Sequence, residues 1–139
     1  MQGDNFVLSA IFCAIEENNR EGLDKLLSMA NIDVNQTNKH GEGAIHVAAG
    51  LGQLDILKVL ATKGGNLGLV DNRGDSAIYW AARQGHVDVI QHLVSQGVHV
   101  NMQNKVIQYY ILYYISAHIL LFDDLSFLKH SPFDFTILL

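Results

Sequence analysis

The sequence predicts an all-α solenoid of stacked helix–turn–helix repeats with hairpin-like loops between them. Three observations predict it. The stretch Asn38–Gln103 states one pattern twice, 33 residues apart: Gly41 returns as Gly74, Ala48-Ala49 as Ala81-Ala82, Gly52 as Gly85 and Gly64 as Gly97. A fixed period of about 33 residues is the mark of a stacked array. A third, weaker copy precedes them, with Ser9-Ala10-Ile11-Phe12-Cys13-Ala14 matching Gly43-Ala44-Ile45-His46-Val47-Ala48 and Ser76-Ala77-Ile78-Tyr79-Trp80-Ala81. Finally, each copy splits into a small, apolar run and an amphipathic run, divided by Gly or Asn.

In chain order, Met1–Asn5 is polar and expected to fray. Helices are expected over Ala10–Glu17 and Glu21–Met29 in the first unit. The second unit should hold Ala44–Leu51 and Leu54–Thr62, and the third Ala77–Gln84 and Val87–Gln96. Gly52 and Gly85 stop the first helix of their units by taking a left-handed conformation, and Asn18 stands in for them in the first unit. Asp55 and Asp88 fall in the first turns of second helices, where the helix dipole favours an acid. The alanine pairs carry almost no side chain, so neighbouring first helices can approach closely. No unit can bury its apolar face alone; the next unit buries it. The first two copies are 34 residues apart, and the extra residue is expected in the loop Asn31–Val34. Asn35–Gly41, Gly68–Gly74 and Asn101–Lys105 join the units, with Gly41 and Gly74 at positive φ.

This pattern resembles the ankyrin repeat. The loop tips Asn38-Lys39-His40-Gly41 and Asp71-Asn72-Arg73-Gly74, the alanine pairs, the starts at Gly52–Ile56 and Gly85–Val89, and the Val34-Asn35 and Val100-Asn101 endings carry the resemblance over roughly Asn5–Lys105. It implies a domain over 1–105, with repeats of about 5–37, 38–70 and 71–103. The family's Thr-Pro-Leu-His appears as Gly43-Ala44-Ile45-His46 and Ser76-Ala77-Ile78-Tyr79. Ser76 can substitute as a helix cap, and Gly43 does so only weakly. Asp33–Gly41 and Ala77–Asp88 look, more narrowly, like the opening repeats of the death-associated protein kinases. That resemblance implies a Ser/Thr kinase domain in a longer parent and a role in apoptosis signalling. The chain itself has no Gly-rich phosphate loop, His-Arg-Asp or Asp-Phe-Gly.

After Lys105 the period is lost. Val106–Phe122 is uncharged with His taken as neutral, and eight of the twelve aromatics lie beyond Lys105. Three readings of the tail 106–139 stand: a capping helix, a membrane segment at the lower limit of length, or an aberrant terminus.

Composition narrows the function. With 9 Lys+Arg against 14 Asp+Glu, the net charge is −5, which argues against nucleic acid as a partner. One cysteine, Cys13, permits no intrachain disulfide and fits a reducing compartment. No basic-then-apolar leader is visible at the N-terminus. His46, His86, His92 and His99 lack metal-ligand spacing and read as turn or helix-surface residues. Cys13 reads as a core thiol at the position of Val47 and Trp80. Trp80 itself reads first as inter-repeat core and second as a recognition residue. The glycines of 50–52 and 64–68 are repeat stops, not a phosphate loop. No catalytic residue, metal or cofactor is expected.

The expected function is a non-catalytic protein–protein interaction module, cytoplasmic, with a protein partner. Its alternatives are a fragment of a death-associated Ser/Thr kinase and a membrane-anchored protein held through 106–122. Binding is expected at the loop tips, through Lys39, His40, Glu42, Asp71, Asn72, Arg73 and Asp75. Leu51, Arg83 and Gln84, late in the first helices, should line the adjoining groove.

Overall fold

The computed structural model describes residues 2–98, with side chains from Phe6 onward. The end of the third unit, Asn101–Lys105, and the tail 106–139 lie outside the described residues. Six helices follow in order: α1 Gln2–Glu16, α2 Arg20–Leu27, α3 Ala44–Gly50, α4 Leu54–Thr62, α5 Ala77–Gln84 and α6 Val87–Ser95. They form three helix pairs. The first helices make an inner row, with α3 packed on both α1 and α5, and the second helices make an outer row that is packed less closely.

The alanines explain the difference. Ala44, Ala48, Ala49, Ala77, Ala81 and Ala82 are all buried where α3 meets its neighbours. The outer helices instead present Leu23, Ile56, Leu57, Leu60, Ile90 and Leu93, all fully buried against the layer beneath. Each such side chain contributes about 1.5–3 kcal/mol relative to exposure.

Helix stops fall where left-handed residues stand. Asn18 has φ 53°, close to Gly52 at 70° and Gly85 at 76°. The same test moves the extra residue of the first unit. Asn31 (φ 66°), Gly64 (φ 90°) and Gly97 (φ 76°) repeat at an even spacing of 33. The added residue therefore lies between Leu23 and Asn31, at the end of α2, and not in Asn31–Val34. This also ends α2 at Leu27, short of the expected Met29. Leu51 and Gln96 likewise fall just outside α3 and α6, as C-caps. At the other end α1 runs back to Gln2, through the residues expected to fray.

Ser76 does not cap α5. Its backbone is extended, as an N-cap requires, but its Oγ is buried without a hydrogen-bond partner. The amide it would serve, Tyr79 N–H, already donates to the Ser76 carbonyl at 3.0 Å.

Isolated antiparallel bridges, Thr37 with Gly43 and Val70 with Ser76, close two hairpin-like tips. In one, Asn38 Oδ1 accepts from the N–H of His40 at 2.9 Å and of Glu42 at 3.0 Å. In the other, Asp71 Oδ1 accepts from Arg73 and Asp75, both at 2.9 Å. The tips are tied together, because Asn72 donates from its backbone to the His40 carbonyl and from Nδ2 to the Lys39 carbonyl, both at 2.9 Å. Asn35 makes a matching tie lower down, donating to Gly64 O at 3.2 Å and accepting from Asn66 N–H at 2.7 Å.

Candidate functional site

A groove of about 630 Å³ runs between the inner helices and the loop tips. Its floor is apolar: Phe12 from α1, Val47 and Gly50 from α3, Leu51 after α3, and Trp80 from α5. Its edges are charged, with Glu16 on the first unit, Glu42 on the second, and Arg73 and Arg83 on the third.

Trp80 is half-buried, so it serves both packing and surface. Three contacts fix its ring. The indole N–H donates to Asp71 Oδ2 at 3.2 Å. The His46 ring lies tilted against it, centroids 5.5 Å apart. Gly50 leaves room beneath it, since a Cβ there would stand 3.1 Å from Trp80 Cε3.

His46 is not a surface histidine: it is fully buried. Its Nδ1 accepts from the Gly43 N–H at 2.9 Å. The ring proton therefore sits on Nε2, which lies 3.0 Å from the Leu69 carbonyl and donates to it. A side chain at the third helical position thus satisfies the N-cap amide, the half of a capping box that needs no side chain on Gly43. Burial pushes the His46 pKa below its ordinary value, against the upward pull of the Asp71 charge. His86, the N-cap residue just before α6, plays a related part, with Nε2 3.0 Å from the Gly50 carbonyl.

Asp71 is likewise no solvated tip residue, being 6% exposed. Burial alone would raise its pKa. The backbone N–H of Asp75, the Trp80 indole and the Arg73 N–H outweigh it and hold the carboxyl below the usual carboxylate range. Its charge is spent on its own turn.

Of the residues expected to bind, the structure brings Glu42, Leu51, Asp71, Arg73, Arg83 and Gln84 to the groove. Lys39 and His40 stand exposed on the tip beside it, and Asn72 is occupied in the tip-to-tip tie. Asp75 pairs with Arg83 at 2.8 Å. Sequence reasoning missed Phe12, Glu16, Asn38, Val47 and Gly50. A signal for two of them was present: Glu16, Gly50 and Arg83 are equivalent in the three units, so Arg83 already pointed to the others.

Cys13 is exposed, not a core thiol. Its position faces the groove side of the inner row, where Val47 and Trp80 are half-covered by neighbouring units; among the described residues no unit precedes α1 to cover it. Its Sγ lies 3.5 Å from Glu17 Oε1, and this hydrogen bond, followed by the Glu17 charge, raises the thiol pKa. Among the described residues no helix is long and apolar enough to cross a membrane, and no group of three His, Cys, Asp or Glu could hold a metal ion.

The comparisons with known proteins agree with this geometry. A solved structure, the predatory endopeptidase Bd0816 from Bdellovibrio bacteriovorus in complex with the immunity protein Bd3460, contains a chain similar to this one. The two share 27% identity with a TM-score of 0.63, over 79% of this chain and 65% of that one. This chain thus spans somewhat less than two thirds of that chain's length. The family model for ankyrin repeats, in three copies, matches residues 10–104. With that match covering well over half of the sequence, the chain belongs to the ankyrin-repeat family.

Proposed function

We propose that this chain is a non-catalytic recognition module that binds a partner protein through the groove between its inner helices and loop tips. The observation that carries the reading is the floor of that groove. Leu51 is 47% exposed and lines the groove together with the ring of Trp80, which contacts with Asp71 and His46 hold in place. A fixed aromatic next to an exposed aliphatic residue is the composition of a binding hot spot. The similar chain comes from a complex of two proteins, which supports the same reading.

A photo-crosslinking amino acid tests it. Placed at Leu51 and, in a second variant, at the exposed Lys58 of α4, it should give discrete protein adducts in cells from the first site only. Equal adducts from both sites would refute the groove as the recognition surface.

The similarity of Asp33–Gly41 and Ala77–Asp88 to the opening repeats of the death-associated protein kinases supports a finer proposal. In it the array serves a longer Ser/Thr kinase of apoptosis signalling in the cytoplasm. A transcript joining a kinase domain to Met1 would establish that parent, and its absence from full-length transcript sequencing would refute it.

A further inference from the structure

We infer that the groove selects a charge-polarised segment of its partner: a cationic residue at one end, an apolar residue in the middle and a carboxylate at the other. This rests on the groove reading above and adds the chemistry of the ligand.

The inference comes from one row of equivalent positions. Glu16, Gly50 and Arg83 occupy the same place in the three inner helices, and all three line the groove. Along the stack the row reads negative, empty, positive. From the tips, Glu42 on the second unit and Arg73 on the third also line the groove, at positions that are not equivalent. Between the charged ends lie Leu51 and the Trp80 ring, the latter leaning over the notch that Gly50 leaves.

Glu16 and Arg73 stand exposed, whereas the Glu42 carboxylate accepts from Asn38 Nδ2 at 2.9 Å within its own tip. Among the described residues, Glu16, Glu42 and Arg73 take part in no ion pair, and Arg83 keeps only its bond to Asp75 while remaining 43% exposed. The remaining acid, Asp71, is turned into its own loop and satisfied there. Packed helices lie 8–10 Å apart, so two steps along the row span about 20 Å. An extended peptide at about 3.3 Å per residue covers that distance in roughly six residues. The chain's own Val106–Phe122 has no formal charge and does not complement a groove charged at both ends. Exposed ion pairs contribute specificity more than affinity, so each end should be worth about fivefold or less in binding.

The test uses the full chain, immobilised, and a phage-displayed random twelve-residue library that omits tryptophan. Enriched peptides are synthesised and titrated against the free chain while the emission of Trp80, the chain's only tryptophan, is followed. The expected peptides carry Lys or Arg and Asp or Glu about six residues apart on either side of an apolar residue, and they shift that emission. Arg73→Glu should weaken them several-fold. Selection against Glu16→Lys should replace the cationic end by an acidic one, with the far-UV circular dichroism of both variants unchanged. Peptides that shift Trp80 emission without any charge pairing would overturn the polarity and leave the groove as a binding site. If no enriched peptide moves Trp80, both readings fall together.

Discussion

Replacing His46 by Leu removes more than a buried ring. The Gly43 N–H, which is buried, and the Leu69 carbonyl, which is part-buried, would each lose their imidazole partner, at 2.9 and 3.0 Å. A buried backbone group left unpaired costs about 1–3 kcal/mol. The lost ring contact with Trp80 adds about 0.5–1.5 kcal/mol. Some relief comes from the apolar side chain, so the expected net loss is about 2–5 kcal/mol. Against a total stability of about 5–15 kcal/mol that is a large fraction. The assay is urea unfolding followed by Trp80 emission and far-UV circular dichroism. A pH series separates the imidazole from mere packing. Because the folded-state pKa of His46 lies below its ordinary value of 6.5, the unfolded chain binds the extra proton first. The stability from neutral His46 is therefore full above pH 6.5 and is lost as pH falls through and below it. His92, also lowered by burial and then by the Lys58 charge, contributes in the same direction. The wild-type chain should lose stability between pH 7.5 and pH 5, and His46→Leu should lose less over that interval. A variant with an unchanged urea midpoint at pH 7.5, or with the same acid slope as wild type, would refute the bridging role.

Further expectations follow from the ties between units. Gly41→Ala places a Cβ at φ 76° and 2.5 Å from Asn72 Oδ1, whereas Gly64→Ala meets left-handed strain at φ 90° with open space around it. The second should cost about 1 kcal/mol and the first clearly more, as read from paired thermal melts. Asn35→Ala breaks both bonds between the first two units and should cost about 1 kcal/mol in urea unfolding, since the site is partly solvated. Gly50→Ala sets a gain of about 0.5–1 kcal/mol in helix propensity against the push on Trp80 Cε3 at 3.1 Å. Its stability should stay near wild type while the Trp80 emission maximum moves; an unmoved maximum would show that the ring is not seated on Gly50.

The lining of the groove was legible in part, for a physical reason. Leu51, Arg83 and Gln84 were readable because they sit late in helices whose start and stop are marked. The tips were readable as loops, but Lys39, Asp71 and Asn72 look alike in sequence and differ entirely in place. Asp71 folds its carboxylate inward onto two amides and an indole, while Lys39 stands free. Asn72 ties one tip to the next only because Gly41 lets it approach. Such differences depend on which side chain finds a donor across a repeat boundary.

The sequence by itself determined the period, the helix pairs and the stops, because these rest on local rules. A left-handed Asn18, Gly52 or Gly85 ends a helix whatever lies beyond it, and alanine pairs permit close packing wherever they meet. The tertiary structure decided what each equivalent position does. Cys13, Val47 and Trp80 hold one register, yet the first is exposed and the last forms the groove floor, since coverage depends on the neighbouring unit. His46 became a buried bridge because the Leu69 carbonyl, 23 residues away, comes within 3.0 Å of its ring. Helix geometry is fixed by neighbours in the chain; the sharing of buried donors and acceptors is fixed by neighbours in space.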